Sequence, residues 1–578
     1  MNLPQLSKTL CADLAYFTAI VQLLTAMKMT VNGQRERLKD WSQINWRQMN
    51  KAVRNLRRRI FRASETGNFC KLRNLQKLMM RNYANLLLSV RQITQTNQGK
   101  QTAGIDKEVI NSPAQRVEFV NTWKGGNQKP VRRVEIPKKN GKMRPLGIPT
   151  VRDRVMQAIV KNTLEPEWEA RFEPNSYGFR PGRSCQDAIE QSFTRLSDNP
   201  RGSNDKWVLE ADIKGFFDNI AHESILKMIS NFPKRGLIEG WLKAGFVLNG
   251  KLNPTETGTP QGGVISPLLA NIGLHGLETY IKSTNHRLGV VRYADDFIVT
   301  ARDKGSLETA KIQIQAWMSE QGLELSAEKT LITSIEDGFD FLGYNLRHYN
   351  RKLLIKPSKP KVLNFCKRIG QEIKSLDGSN QEAIIRKLNP ILRGFANYYR
   401  GVVSKQTFSY ISHRVWEYLW RWCKRQHPKK NTKWVRKRYF KTIKGNKWTF
   451  ATTISDRRGK EKIITLYQIA YTPIERHIKV KGNTSPDNPL QQEYWLNRNQ
   501  RLGKSYWSKG GKYYSVAQNQ NWICPICGEL LLNGEEIETH HIVPVAKGGT
   551  DDEYNLQHVH LACHKQVHSQ NQKPVSKG

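Results

Sequence analysis

The sequence predicts an α+β protein of several domains that ends in a small metal-binding unit. Three observations carry this expectation. The chain has 578 residues, too many for one hydrophobic core, so roughly three or four domains of ~150 residues are expected. Its texture also changes twice along the chain. A basic helical start gives way to short β-branched runs and amphipathic stretches separated by Gly- and Pro-marked turns, and then to a second helical region. Finally, Cys524, Cys527 and Cys563 cluster among histidines, while Cys11, Cys70, Cys185, Cys366 and Cys423 lie far apart with no pairing pattern. That distribution suits a reducing compartment with one metal site better than a disulfide framework.

Lys and Arg number 93 against 50 Asp and Glu, a formal net charge of +43. Self-repulsion of that size disfavours a compact state, so a polyanionic partner is expected, with nucleic acid ahead of an anionic membrane surface. No segment approaches the ~20 apolar residues of a membrane span. The fairly apolar stretch Leu10–Met29 is interrupted by Asp13 and is not read as a signal peptide. Residues 1–28 are expected to be a dispensable extension or an upstream start. The expected compartment is the cytoplasm, with an organellar origin left open.

Residues 29–105 are predicted to be helical, basic and RNA-binding. In Lys51-Ala-Val-Arg-Asn-Leu-Arg-Arg-Arg-Ile60 the spacing puts Val53, Leu56 and Ile60 on one face and cations, among them Arg57 and Arg58, on the other. A solvated face would look the same, but the overall charge favours contact with RNA phosphates. Residues 106–356 form the α+β part. Val131–Pro137 and Leu146–Pro149 read as hairpin arms, Trp207–Ile213 and Val290–Thr300 as strands, and Gln186–Leu196 and Leu307–Gln321 as helices. After Pro360 the strands fade, and Val362–Leu376, Gln381–Tyr399 and Phe408–Gln426 read as helices of a unit at 357–445.

Between Glu417 and Asp456 there are twelve Lys or Arg and no acid. Arg421, Lys424, Arg425, Arg436, Lys437 and Arg438 lie in this run, with Trp420, Trp422, Trp434, Tyr439, Phe440 and Trp448 in or beside it. Cations for phosphates interleaved with aromatic faces for bases are the expected footprint of nucleic-acid binding. Residues 446–514 are basic and weakly patterned, and 515–578 hold the Cys/His cluster.

Two acidic segments, Glu210-Ala-Asp-Ile-Lys-Gly-Phe-Phe-Asp-Asn219 and Val291-Arg-Tyr-Ala-Asp-Asp-Phe-Ile298, set aspartates at a strand end or turn. Backbone geometry can there aim carboxylates at one point. Mg²⁺ favours a few carboxylates plus substrate phosphates, and two such ions can activate a 3′-hydroxyl and stabilise a leaving pyrophosphate. At the C-terminus, Cys524-Pro-Ile-Cys527 and His560-Leu-Ala-Cys563 form two corners whose spacing suits tetrahedral Zn²⁺. His564 and His568, at i and i+4 on an expected helix, share one face.

Seven blocks in order resemble those of reverse transcriptases, in the form found in group II intron-encoded proteins. They are Arg144-Pro-Leu-Gly-Ile-Pro149, Asn175-Ser-Tyr-Gly-Phe-Arg-Pro-Gly-Arg183, Ala211-Asp-Ile-Lys-Gly-Phe-Phe-Asp218, Gly258-Thr-Pro-Gln-Gly-Gly-Val-Ile-Ser-Pro-Leu-Leu-Ala-Asn271, Tyr293-Ala-Asp-Asp296, Gly322-Leu-Glu-Leu-Ser-Ala-Glu-Lys-Thr330 and Phe339-Asp-Phe-Leu-Gly-Tyr344. The resemblance implies a right-hand polymerase with fingers and palm over 106–356, in which Asp212 and Asp295 are the principal Mg²⁺ ligands and Asp296 stands beside them. It implies that Lys138, Arg144 and Gln261 meet the incoming dNTP, that Phe217 gates against a ribose 2′-hydroxyl, and that Lys329 protonates the leaving pyrophosphate or is an ordinary surface lysine. An RNA template with a DNA primer is the expected substrate.

Leu392-Arg-Gly-Phe-Ala-Asn-Tyr-Tyr-Arg400 resembles the α-helical thumb, or maturase domain, of the same family, with Arg393, Tyr398 and Arg400 as expected contacts to intron RNA. By position, 446–514 would be a DNA-binding region. Glu538-Thr-His-His-Ile-Val-Pro544, Asn555 and His564-Lys-Gln-Val-His568 resemble the HNH, or ββα-metal, nuclease motif. That resemblance implies a divalent ion, with Mg²⁺ the expected metal, held by His540, His564 and His568 with Glu538 in support. It makes His541 the general base and Asn555 the residue that orients its loop. Cys524, Cys527, His560 and Cys563 would hold structural zinc, although His560 stands where many relatives have Cys.

The function implied is threefold: a polymerase that copies intron RNA into target DNA by target-primed synthesis, a maturase that assists splicing, and an endonuclease that nicks the target DNA. A splicing-only protein with vestigial enzymatic modules and a retron- or defence-type reverse transcriptase are the alternatives. The intact aspartate and histidine arrays weigh against the first. The maturase-like thumb and the nuclease motif weigh against the second.

Overall fold

The helix Trp46–Glu65 begins where the Asn45 side chain accepts from the Gln48 amide, and it buries Val53, Leu56 and Ile60 on one face. The helices Phe69–Arg81 and Tyr83–Arg91 follow. They belong to a computed structural model that describes residues 37–137, 141, 143–198, 203–350, 352–443, 445–455, 461–507 and 511–571. The extension at 1–28 and Lys138 lie outside the described residues.

A hairpin of Val131–Pro137 and Met143–Ile148 extends through Phe246–Leu248 and Lys251–Asn253 into a four-stranded sheet. A second sheet runs in the order Gly289–Tyr293, Asp296–Ala301, Trp207–Asp212, Leu331–Ser334, antiparallel throughout. The single strand expected over Val290–Thr300 is therefore a hairpin. Its turn is concealed in the sequence because both arms are almost wholly buried and read as one apolar run. Helices Ser266–Gly273, Leu277–Thr284 and Lys304–Glu320 pack on this sheet through Leu269, Ile281 and Ile314, which meet Leu209, Val290 and Val299 in one core.

Helices Lys359–Ser375, Gln381–Tyr399 and Lys405–Gln426 follow a three-stranded sheet of Phe339–Phe341, Tyr344–Tyr349 and Lys352–Pro357. The strands do not fade after Pro360, however. Phe440–Ile443, Asn446–Ser455 and Glu461–Thr465 form another antiparallel sheet. It is held by packing: Phe450 and Ala451 are buried, and the Gln381 amide donates to the Tyr439 and Ala451 carbonyls. Such support comes from residues far away in sequence, so a basic, weakly alternating segment conceals it.

The two ends of the described chain share a core. Trp522, Leu531 and Val559 lie in one apolar cluster with Leu56, Leu75 and Val90. Asn50 donates to the Cys527 carbonyl at 2.9 Å, and Gln566 donates to the Ser42 and Ile44 carbonyls at 2.8 and 3.0 Å.

A second long-range tie centres on Asp187, fully buried near the start of the helix Cys185–Leu196. It accepts from His477, the Val480 amide and Arg498 at 2.9, 2.7 and 3.0 Å. Burial alone would raise this carboxyl, but the His477 hydrogen bond and the His477 and Arg498 charges outweigh it and hold it at about 2. A depressed folded-state pKa stabilises above the unfolded value of about 4, and that contribution is lost as pH falls towards 2. The shift corresponds to about 2 kcal/mol. In Asp187→Asn the amide of Val480 is expected to exchange roughly 30-fold faster at neutral pH, and wild type should show the same loosening at low pH. Unchanged exchange would assign the anchoring of this segment elsewhere.

Candidate functional site

Asp212 ends the central strand of the second sheet and pairs in register with Asp296, the first residue of the neighbouring strand. Asp295 lies in the turn before it, where Ala294 takes a left-handed φ of 59°. A buried network sets that turn. Arg292 donates to the Asn271 side-chain oxygen at 3.1 Å and to the Ala294 carbonyl at 3.2 Å, while Asn271 donates to the Gly178 carbonyl at 2.8 Å. A Cβ at Gly178 would fall 2.3 Å from the Ala294 nitrogen, so only glycine lets this loop lie against the turn. Arg292, Asn271 and Gly178 lie inside recognised motifs, but nothing local in sequence reveals that they act together.

Asp212 and Asp296 are in side-chain contact, Asp295 is near enough for its charge to act on Asp296, and Lys329 Nζ is 2.6 Å from Asp212 Oδ2. Although Asp296 is partly open to solvent, desolvation of its carboxyl, with the charges of Asp295 and Asp212, pushes it up to about 6. Burial and Asp212 raise Asp295 too, and the hydrogen bond to Asp212 raises Lys329. An all-oxygen donor set whose members repel one another fits a hard divalent cation.

Around this centre the Arg144 guanidinium donates to Gln261 Oε1 at 2.9 Å and links the first hairpin to the Gly258–Asn271 block. Phe217 accepts from the Thr259 amide at 2.7 Å through its carbonyl, and its side chain helps line a cavity of about 220 Å³ with Pro145 and Gln261. Gly258, at φ +83°, lets this block lie on the Phe217–Asp218 backbone, where a Cβ would meet both carbonyl oxygens at 2.6 Å.

At the C-terminus the strands Ile537–His541 and Leu556–His560 pair antiparallel, and the helix Leu561–Asn571 follows. Cys524, Cys527, His560 and Cys563 are all buried, with ligand atoms within 4.8 Å of one another. Three thiols and one imidazole at this spacing fit a closed zinc site. Arg91, 472 positions away, donates to Cys563 Sγ at 3.0 Å, with its guanidinium 4.6 Å from the Trp46 ring centre.

His540, His564 and His568 form a second group within the same limit. Burial and the neighbouring histidines lower the His540 pKa, which favours the neutral imidazole that binds metals. Glu538 stands beside this group, its carboxylate 2.5 Å from His564 Nδ1, the supporting position expected of it. An acid there orients the ring. His541, on the opposite face of the strand from His540, pairs with Asp551 at 2.6 Å. Asn555 accepts from the Val543 amide and donates to the Val543 and Thr550 carbonyls at 2.8, 3.0 and 2.7 Å, closing the loop between them. Asp551 was not foreseen. The only hint of it is an acid just after Gly548-Gly549-Thr550.

The expected nucleic-acid contacts divide by burial. Arg393, Arg421, Lys424, Arg425, Arg436, Lys437 and Arg438 are exposed. Three others are only partly exposed and are engaged by the protein itself. Arg57 is bonded to Asp487 at 2.6 and 2.8 Å and to Glu165 at 2.8 Å. Tyr398 stacks on Tyr344 at 5.3 Å and donates to the Leu342 carbonyl, and Arg400 pairs with Glu475 at 3.0 Å. Arg58 is half-buried beside Arg54, and its pKa is lowered by burial and by that neighbour. Trp422, Tyr439 and Phe440 are core residues, so only part of the aromatic content faces solvent.

Family models match in the same order along the chain. Residues 41–123 match the N-terminal domain of reverse transcriptase, and 136–346 match reverse transcriptase (RNA-dependent DNA polymerase). Residues 362–440 match the group II intron maturase-specific domain, and 524–570 match HNH endonuclease. Among curated relatives, the group II intron-encoded protein LtrA of Lactococcus lactis subsp. cremoris is 32% identical over 413 residues, covering 53% of this chain and 67% of the relative. Protein YkfC of Escherichia coli (strain K12) is 34% identical, covering 41% of this chain and 73% of its own. An uncharacterized 91 kDa protein in a cob intron of Schizosaccharomyces pombe is 28% identical, covering 58% and 52%. The chain belongs to the group II intron-encoded proteins, as a reverse transcriptase and maturase with a C-terminal HNH endonuclease domain.

Proposed function

We propose that the protein binds its own intron RNA, assists its splicing, nicks one strand of target DNA and copies the intron RNA from the 3′-hydroxyl so exposed. The observation that carries the polymerase part is the register pairing of Asp212 with Asp296 beside Asp295 and Lys329. These aspartates would hold Mg²⁺, which when bound favours ionisation of the primer hydroxyl and stabilises the leaving pyrophosphate. Arg144 and Gln261, with Lys138, would orient the triphosphate of a dNTP. Phe217 would close the sugar side, and Lys329 would donate a proton to the leaving group.

Cys524, Cys527, His560 and Cys563 would hold Zn²⁺ as a structural clamp. His540, His564 and His568 would hold the nuclease's divalent ion, which supplies charge stabilisation to the cleaved phosphate. His541, oriented by Asp551, would take the proton from the attacking water, and Asn555 would keep its loop in place. The exposed cations of 421–438 supply the phosphate contacts. No helix among the described residues is long and apolar enough to cross a membrane. With a bacterial relative at hand, the cytoplasm is the proposed compartment.

The test incubates purified protein with its flanking genomic transcript and a DNA duplex spanning the joined exons. Spliced RNA, a nicked strand and cDNA joined to that strand are the expected products. Failure of all three with folded RNA would leave only a binding role.

A further inference from the structure

The helix Lys405–Gln426, the strand Asn446–Ser455 and residues 466–470 enclose a cavity of about 610 Å³ that neither metal centre uses. We propose that it takes the base of an unpaired nucleotide of the intron RNA. This rests on the reading that the chain binds that RNA, and it deepens it by naming a base-binding subsite.

The walls are aromatic. Trp416 stacks on Trp420 with centroids 5.9 Å apart and planes 11° from parallel, and Trp448 meets both edge-on at 5.7 Å. Trp416, Trp448 and Tyr467 line the cavity, and Ser412, Asn446 and Gln468 place polar groups among them, suited to the edge of a base. The volume lies within the ~300–1,000 Å³ of small-ligand pockets.

The rim is cationic. The Arg436 guanidinium lies 4.8 Å from the centre of the Trp448 ring, and that of Arg393 lies 5.5 Å from the centre of the Tyr467 ring. No acid occurs between residues 418 and 455. Tyr471, 67% exposed, is bonded to Asn446 at the cavity's edge. Aromatic faces with two arginines against them are complementary to a nucleotide, whose base stacks while its phosphate meets a guanidinium. A duplex keeps its bases stacked inside, so only an unpaired nucleotide can enter. Half of the lining residues, Trp416 and Ser412 among them, lie in the segment that matches the group II intron maturase-specific domain, which favours RNA, while Trp448 and Tyr467 lie in the stretch read by position as DNA-binding, so a DNA strand is the necessary control.

The experiment uses the full chain and a short oligouridylate carrying 5-iodouridine. After irradiation, cross-links are mapped by mass spectrometry, and binding is measured across salt concentrations. Cross-links at Trp416, Trp448 or Tyr467 are expected, and none there with the same sequence held in a duplex. Trp448→Ala should weaken binding of the oligomer roughly 5- to 100-fold with an unchanged salt slope, while Trp448→Phe should retain most of it. Arg436→Gln should reduce the salt slope by about one and keep the cross-link. Ser412→Trp, which fills the cavity from the helix side, gives an independent loss should Trp448→Ala unfold. Cross-links confined to other regions, in protein that still retains its flanking transcript on a filter, would remove the pocket and leave the RNA-binding reading standing. Failure to retain the transcript would remove both. Equal cross-linking of the matching iodo-deoxyuridine strand would overturn the assignment to RNA.

Discussion

Asp295→Ala is expected to abolish primer extension on an RNA template, by roughly 10³-fold or more, with no loss of DNA nicking. On the proposed reading, three carboxylates supply the several negative charges needed to draw a divalent ion from water. The turn that carries Asp295 is held by Arg292 and Asn271 through main-chain and side-chain hydrogen bonds, so removing the carboxylate leaves its support in place. Asp295→Asn keeps the shape without the charge and should fail equally. Retained synthesis in either variant would overturn the metal assignment. The wild type adds a pH signature. Asp296 is pushed up to about 6 by its burial and by Asp295 and Asp212, so protons compete with the cation as pH falls through that value. The Mg²⁺ concentration for half-maximal extension should therefore rise on the acid side.

His541→Ala should cost about 10²- to 10⁴-fold in nicking, the range for losing a general base. Extension of a primer already annealed to RNA should be untouched, whereas cDNA joined to target DNA should disappear, since no 3′-hydroxyl is exposed. This split separates the two active sites in one protein. Asp551 supports His541 at 2.6 Å, so Asp551→Asn should lower nicking by about 10-fold or more. If His541→Ala nicks normally, the base lies elsewhere in the loop that Asn555 closes. Zinc content and thermal unfolding should match wild type in all these variants, because none of the changed residues belongs to the Cys524–Cys563 cluster.

Why some of this was legible in sequence and some not follows from the range of the interactions. The helix of Val53, Leu56 and Ile60 could be read because its signal repeats every few residues. The two Cys/His corners could be read because each knuckle is a local spacing. Arg57, Tyr398 and Arg400 were read as nucleic-acid contacts from local charge and motif. Their partners Asp487, Tyr344 and Glu475 lie 430, 54 and 75 positions away. A cation looks the same in sequence whether its counter-ion is a phosphate or a distant carboxylate.

The sequence by itself determined the chemical inventory: three aspartates in polymerase blocks, a nuclease array, two metal corners and a large excess of positive charge. Only the tertiary structure decided which of those groups face one another. It brought Asp212 alongside Asp296, split an apparent strand into the hairpin that bears Asp295, and set Arg91 against Cys563. It also placed Asp551 behind His541 and turned half of the basic region's aromatics into core. The reason is physical. Residue type sets what a group can do, but its charge state and its partners depend on burial and on contacts between segments that only the folded chain brings within a few ångströms.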